Sequence, residues 1–283
     1  MKLTFNEISM APDLNDYSPV HPATIFSETD SKQNEMVWQK LRREVKAISL
    51  DLWGTILDDK QSPSDTILYS ERRQDFMREE LARCGHHITA EQMRDAYKAA
   101  WQHFDDLWGK QIAFGAAEGL RAMLRALNAD LPPESFAHVE QYFEEAYQDP
   151  APLEGTIDAV QRLAGKYPLA LISDTAWTPG RVLRQIFTRY EILDCFSALI
   201  FSGEVGKTKP HPQMFQLALD GLGVQPQECL HLGDLQHTDI AGANAAGMHT
   251  AWIHRPVYAG EEQRDFKPTV IVKGVKEVAE KLL

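Results

Sequence analysis

The sequence predicts an α/β protein with a doubly wound parallel sheet and an α-helical domain inserted into it. Three observations predict this. Short apolar runs rich in Ile, Leu and Val alternate with segments of helical period in the second half of the chain, the pattern of βαβ units. A stretch of about 90 residues between the first two runs carries helical period only. Acidic residues stand just past two of the runs, at Asp51 and at Asp234, where open parallel sheets bind their ligands.

The elements follow in order. The first forty residues are polar, punctuated by Pro12, Pro19 and Pro22, and read as an extended arm with one helix near 32–43. Strands are expected at 45–53, 167–174, 198–202, 228–233, 250–254 and 269–272. Helices are expected between the later strands at 155–166, 178–190, 211–222, 239–246 and 275–283. Pro179-Gly180 opens one of these, and Gly247 closes another. In the strandless stretch, helical period covers 65–83, 89–107, 116–127 and 133–147. The domains are therefore expected to be an N-terminal extension over 1–43, a core from 44–60 and 150–283, and a helical insert over 61–149. Tyr97, Trp101, Phe104 and Trp108 share one helix face. They read as the core of a helical bundle or, for Trp108, as the wall of a substrate pocket.

Composition narrows the function. The 283 residues carry 29 Lys and Arg against 41 Asp and Glu, a formal charge of −12. That balance argues against broad binding of nucleic acid or anionic membrane. No apolar run approaches the length of a membrane span, and the N-terminus lacks the apolar core of a signal peptide. Cys84, Cys195 and Cys229 form no CxxC pair, so neither zinc nor a disulfide framework is indicated. A cytoplasmic protein with free thiols and a small-molecule substrate is expected.

Four segments carry candidate chemistry. Asp51, in Leu50-Asp51-Leu52-Trp53-Gly54-Thr55, is ionised at neutral pH and can act as a nucleophile without a neighbouring base; it can equally satisfy backbone amides at a strand end. Ser173, before Asp174, can donate to an anionic oxygen or cap the next helix. In Val205-Gly206-Lys207-Thr208-Lys209-Pro210, either lysine could balance clustered carboxylates, and Lys209 is preferred because Pro210 restricts it. Asp234 and Asp239 offer the oxygen ligands that Mg²⁺ takes, although Asp239 also suits the first turn of a helix.

Taken together and in this order, these segments resemble the haloacid dehalogenase superfamily. Asp51 to Thr55 matches its first motif, Ser173 its second, Lys209-Pro210 its third, and Gly233-Asp234 with Asp239 its fourth. The resemblance covers about 45–253. It implies a Rossmann-like core with a helical cap of the type inserted after the first motif. It also implies an Asp51 nucleophile that forms a covalent aspartyl intermediate. Ser173 and Lys209 would hold the transferring group, with Trp53, Gly54, Thr55, Asp174 and Trp108 as candidate substrate contacts. Mg²⁺ would be held by Asp51, Asp234 and the Trp53 carbonyl, with Asp239 ordering the cluster or joining it as a ligand.

One position departs from the pattern. Phosphatases of the superfamily carry a second Asp two residues after the nucleophile, and here that residue is Trp53. An indole N–H is a donor only and moves no proton at neutral pH. His237 or Glu204 would have to substitute for it, or the substrate must carry a good leaving group. Two further readings follow. In metal-free 2-haloacid dehalogenation halide needs no acid to leave, and Arg72, Arg73 or Arg83 would bind the substrate carboxylate. A weakly active relative would bind a ligand or partner only. The favoured expectation is Mg²⁺-dependent hydrolysis of a small phosphorylated metabolite, because a carboxylate cluster with no counter-ion is costly without a metal. Trp177 and Arg181, just past Ser173, are expected either to reach the cleft or to pack.

Overall fold

The computed structural model describes residues 28–58, 69–146, 150–255 and 266–283. The arm expected over the first 27 residues lies outside them. So do the start of the first insert helix at 65–68 and, at the crossings between core and insert, residues 59–63 and 147–149.

Helix α1 (Glu28–Glu44) leads into β1 (Ala47–Leu50). The four helices of the insert follow: α2 (Tyr69–Arg83), α3 (Ala90–Trp108), α4 (Ala116–Leu127) and α5 (Pro133–Glu145). The alternation resumes with α6 (Thr156–Ala164), β2 (Leu169–Ser173), α7 (Gly180–Arg189) and β3 (Phe196–Phe201). It continues through the one-turn α8 (Ser202–Val205), α9 (Pro212–Leu222), β4 (Cys229–Gly233) and α10 (Ala241–Ala245). Strands β5 (His249–Ile253) and β6 (Val270–Val272) and helix α11 (Val275–Leu282) complete it.

Local chemistry explains several boundaries. Thr89 caps α3 in a capping box, its hydroxyl accepting from the Gln92 N–H while the Gln92 side chain accepts from the Thr89 N–H. Pro212 starts α9, where a missing N–H costs nothing, and Gly223 ends it at φ 68°. One boundary differs from expectation. In place of a helix over 239–246, a wide i→i+5 turn spans Gln236–Ile240 and runs into α10. The wider turn lets Asp239 reach back: its backbone N–H donates to the Leu235 carbonyl, and its carboxylate accepts from the Leu235 N–H at 3.0 Å.

The six strands are parallel in the order β3-β2-β1-β4-β5-β6. Strand order reverses on either side of β1, so the crevice for a ligand opens beyond the carboxyl ends of β1 and its neighbours. β1, β2 and β4 are buried along their whole length, as expected of parallel strands covered on both faces. One core layer gathers Leu50, Leu171, Leu183, Phe187 and Val278 with Trp38 and Leu41 of α1. The opposite layer joins Ala170 and Ile172 to Met214 and Phe215 of α9. A separate core fills the four-helix insert and includes Tyr97, Phe104, Met123, Val139 and Phe143. Among the described residues, no helix is long and apolar enough to cross a membrane.

Candidate active site

The backbone of β1 delivers Asp51 to the crevice. Its N–H donates to the Leu232 carbonyl of β4 at 2.8 Å, and the residue is 4% exposed. The chain then turns sharply. Gly54, at φ 76°, donates its N–H to the Leu57 carbonyl, and a Cβ there would stand 2.0 Å from Asp234 Oδ2. Only glycine lets this turn press against the loop after β4.

Lys209 is the hub of the cluster. Its ammonium donates to Asp51 Oδ1 at 2.5 Å and to Asp239 Oδ1 at 2.7 Å, with all three side chains buried. Its backbone N–H donates to Asp174 Oδ1 at 3.0 Å. The other Asp174 oxygen accepts from the Trp108 indole at 3.2 Å. Trp108 thus links the insert to the core beside the cluster, and the His237 ring meets it edge-on at 5.1 Å. Ligand oxygens of Asp51, Asp234 and Asp239 lie within 4.8 Å of one another. The hydroxyls of Thr55, Ser173 and Thr208 are buried and find no hydrogen-bond partner among the described residues, which is uncommon without a ligand or water to meet them.

The charges interact strongly. Burial, reinforced by Asp239, pushes the Asp51 carboxyl up to about 7 against the pull of Lys209. Burial also raises Asp174. Asp239 goes the other way: burial would raise it, but the Lys209 ammonium and His231 hold it well below the usual carboxylate range. For Lys209, burial favours the neutral amine, yet Asp239, Asp51 and Asp174 outweigh it and keep the ammonium charged.

The structure brings Asp51, Asp174, Lys209, Asp234, Asp239 and Trp108 together. Trp53 is half-buried and packs against the main core. Several expectations need correction. The carboxylates do have counter-ions: Lys209 bridges two of them, and Arg255 Nη1 lies 3.9 Å from Asp234 Oδ2. Glu204 is held by Arg184 and is not available as a substitute acid. Arg73 is buried, donating from two nitrogens to the Phe143 carbonyl at 3.0 and 2.7 Å, and Arg83 pairs with Glu80. Arg72 sits over the Tyr69 ring. Trp177 packs into the core of the insert rather than facing the cleft, and Arg181 binds Glu144 and Glu145 of α5. Asp239 does stand in the first turn of a helical segment, Gln236–Ile240, and folds back over Gly233, where a Cβ would stand 2.3 Å from its Cγ.

Two contributors escaped the sequence reading. Arg255, past β5, also donates to Asp58 at 3.3 Å. His231, inside β4, places Nε2 3.6 Å from Asp239 Oδ1. A polar residue in an otherwise apolar strand, two positions before Gly233, was the available signal for His231.

Comparison with known proteins agrees with this geometry. A family model described as haloacid dehalogenase-like hydrolase matches residues 45–247. A phosphoserine phosphatase from Thermus thermophilus is 29% identical over 192 residues, covering 60% of this chain and 76% of the relative. A glyceraldehyde 3-phosphate phosphatase from Methanopyrus kandleri is 32% identical over 147 residues, covering 50% of this chain and 61% of the relative. Among solved structures, a 2-haloacid dehalogenase from Pseudomonas syringae superposes with a TM-score of 0.63 at 20% identity, covering 84% of this chain and 98% of its own. A phosphatase of the same superfamily from Thermococcus onnurineus gives 0.57 at 21% identity, with the same coverage of 84% and 98%. At these identities the structures speak for the fold, and the family match over most of the chain speaks for the lineage: the protein belongs to the haloacid dehalogenase-like hydrolases.

Proposed function

We propose that the protein is a Mg²⁺-dependent phosphohydrolase acting on a small phosphorylated metabolite, with Asp51 as its nucleophile. The observation that carries this is the Lys209 ammonium seated between Asp51 and Asp239, beside the Asp234 carboxylate. Helices α2 to α5, within 61–149, act as a cap over a core formed by 44–60 and 150–283; residues 1–43 are an N-terminal extension, of which α1 packs against that core.

An Asp51 oxygen attacks phosphorus, the bond from phosphorus to the leaving oxygen breaks, and an aspartyl phosphate forms. Water then attacks that phosphorus, releasing inorganic phosphate and restoring Asp51. Lys209 neutralises the nucleophile's neighbours and the incoming phosphoryl oxygens. The unmet hydroxyls of Thr55 and Ser173 suit the same oxygens. All three clustered carboxylates offer hard oxygen donors, which fits Mg²⁺. Asp51 and Asp234 would hold the ion, while Asp239, already engaged by Lys209 and the Leu235 N–H, orders them. The ion supplies Lewis-acid stabilisation of the transferring group when bound. Phosphatase relatives support a phosphorylated substrate.

Trp53 favours a second reading. In it, an Asp51 oxygen attacks a carbon bearing halogen, halide leaves with its electron pair, and the ester is hydrolysed. One panel separates the two. EDTA is expected to abolish turnover of p-nitrophenyl phosphate and acetyl phosphate, and Asp51→Asn to leave no phosphoryl adduct by mass spectrometry. Chloride release from 2-chloropropionate that is indifferent to EDTA would replace hydrolysis of phosphate by dehalogenation.

A further inference from the structure

Behind Asp239 runs a buried polar chain that the proposed reaction does not use. Ser49 in β1 and His231 in β4 are register partners, and both are wholly buried. Their side chains face each other across the two strands, with Ser49 Oγ 2.9 Å from His231 Nδ1. Cys229 is on the same side, its thiol directed at Ser49 Oγ at 3.8 Å. Alternation along β4 turns His231 to the face of Gly233. The Cβ that Gly233 lacks would occupy the space taken by the Asp239 carboxylate. His231 Nε2 therefore meets Asp239 Oδ1 at 3.6 Å and has no formed hydrogen bond among the described residues.

Electrostatics select the tautomer. With the proton on Nδ1, a bare Nε2 lone pair would face a carboxylate held firmly ionised. With the proton on Nε2, the N–H points its positive end at that carboxylate, and Nδ1 accepts the Ser49 hydroxyl. Burial pushes the Cys229 thiol up to about 12, so its S–H stays in place to satisfy Ser49 in turn. A histidine kept only for packing would need no such directed row of donors, although the Phe215 ring does pack edge-on against it at 5.3 Å.

We propose that Ser49 and His231 form a buried positioning pair, in which Ser49 fixes the Nε2–H tautomer and His231 holds Asp239, and through it Lys209, against Asp51. The inference rests on reading Asp51 as the nucleophile. It predicts an effect on turnover rather than on substrate affinity, because neither residue opens onto the cleft.

The test has two arms on the full chain. Long-range ¹H–¹⁵N correlation spectra of histidine-labelled protein, with His231 assigned through His231→Gln, should show the Nε2–H tautomer, and Ser49→Ala should mix the tautomers. With p-nitrophenyl phosphate and Mg²⁺, His231→Leu should lose roughly 10- to 100-fold in kcat, the range for partners that orient a first ligand layer. KM should barely move. His231→Gln, which keeps a donor near Nε2, should recover most of the loss. An Nδ1–H tautomer, an unchanged kcat in a folded His231→Leu protein, or a Gln variant as poor as Leu overturns the positioning pair. If the wild type does not turn over the probe, the phosphohydrolase reading falls, and the tautomer and its response to Ser49→Ala decide the pair alone. If His231→Leu does not fold, the same spectra with the Ser49→Ala kcat decide it.

Discussion

Trp53 offers an N–H where the family resemblance implies a proton-carrying Asp in phosphatases, and in the proposed reaction that difference is expected to set the slow step. A leaving alkoxide must then depart unprotonated, while an activated aryl or acyl phosphate needs little help. Trp53→Asp is expected to raise kcat for simple phosphomonoesters, by up to roughly 10²–10⁴ where protonation limits the rate. A folded variant with no gain on glycerol phosphate would refute this account. The proposed nucleophile has its own signature. Burial, with Asp239, holds the Asp51 carboxyl at about 7, above its ordinary 3.8. The folded state then binds that proton more tightly than the unfolded chain, so Asp51's contribution to stability is lost as pH rises from 3.8 through about 7. Attack needs the ionised form, so kcat/KM at limiting Mg²⁺ should rise through about pH 7. Saturating Mg²⁺ should move this limb lower, because a cation favours the ionised carboxylate. A profile flat from pH 5 to 8 at limiting Mg²⁺ would contradict the shift. The residues that carry these effects were legible where a strand end announced them, as at Asp51 and Asp234. Arg255 was not, because its place at Asp234 depends on β5 lying beside β4. His231 was not, because its partner Ser49 is met only through strand register.

Trp177 anchors the helices of the insert to the loop after β2, as Trp108 links them to Asp174. Trp177 leaves the loop after β2 and enters the core of α2 to α5, stacked on Tyr97 at 5.6 Å and edge-on to Trp101, at 5.9 Å, and Phe114, at 5.1 Å. Arg73 lies over its ring at 5.6 Å. Gly119 in α4 makes room for it: a Cβ there would stand 2.3 Å from Trp177 Cη2 and 2.7 Å from Phe114 Cζ. Replacing an internal helical glycine by alanine ordinarily gains about 1 kcal/mol. Overpacking at so close a contact costs typically about 1–3 kcal/mol. Gly119→Ala is therefore expected to lower Tm and to shift tryptophan emission toward the exposed range; a raised Tm would show that the contact relaxes freely. Period and caps made these four helices readable in the sequence, since each buries one stripe. The anchoring role of Trp177 was not readable, because a tryptophan beside a candidate site looks the same whether it faces ligand or core. The turn over Gln236–Ile240 has no counterpart in the sequence reading, which starts a helix at 239 and takes its last two residues as ordinary helix, for a related reason. An i→i+5 turn leaves no distinct pattern in five residues, and only the space above Gly233 calls for it.

At the scale of the whole molecule, α1 closes one side of the sheet at the end opposite the crevice. A helix near 32–43 was legible from its residues, but its docking was not, because its single large aromatic does not reveal which surface receives it. Trp38 is 1% exposed and Leu41 fully buried, both within the main core layer. Arg42 Nε donates to the Lys281 carbonyl of α11 at 2.6 Å, and His249 Nε2 lies 3.2 Å from the Glu44 carboxylate. α1 thus joins the start of β1, the start of β5 and the last helix. The four residues of β1, about 13 Å of extended chain, lie between it and Asp51. Stability and chemistry should therefore part at this helix. Trp38→Ala removes a buried indole from a packed layer and is expected to cost about 3–5 kcal/mol, read as a lower midpoint in urea with an unchanged slope. At a temperature where the variant remains folded, kcat and KM for p-nitrophenyl phosphate should match the wild type, since no described side chain of α1 joins the Lys209 cluster. A changed slope would mean that α1 unfolds apart from the core, and a fall in kcat at full folding would mean that strain at the base of β1 reaches the nucleophile.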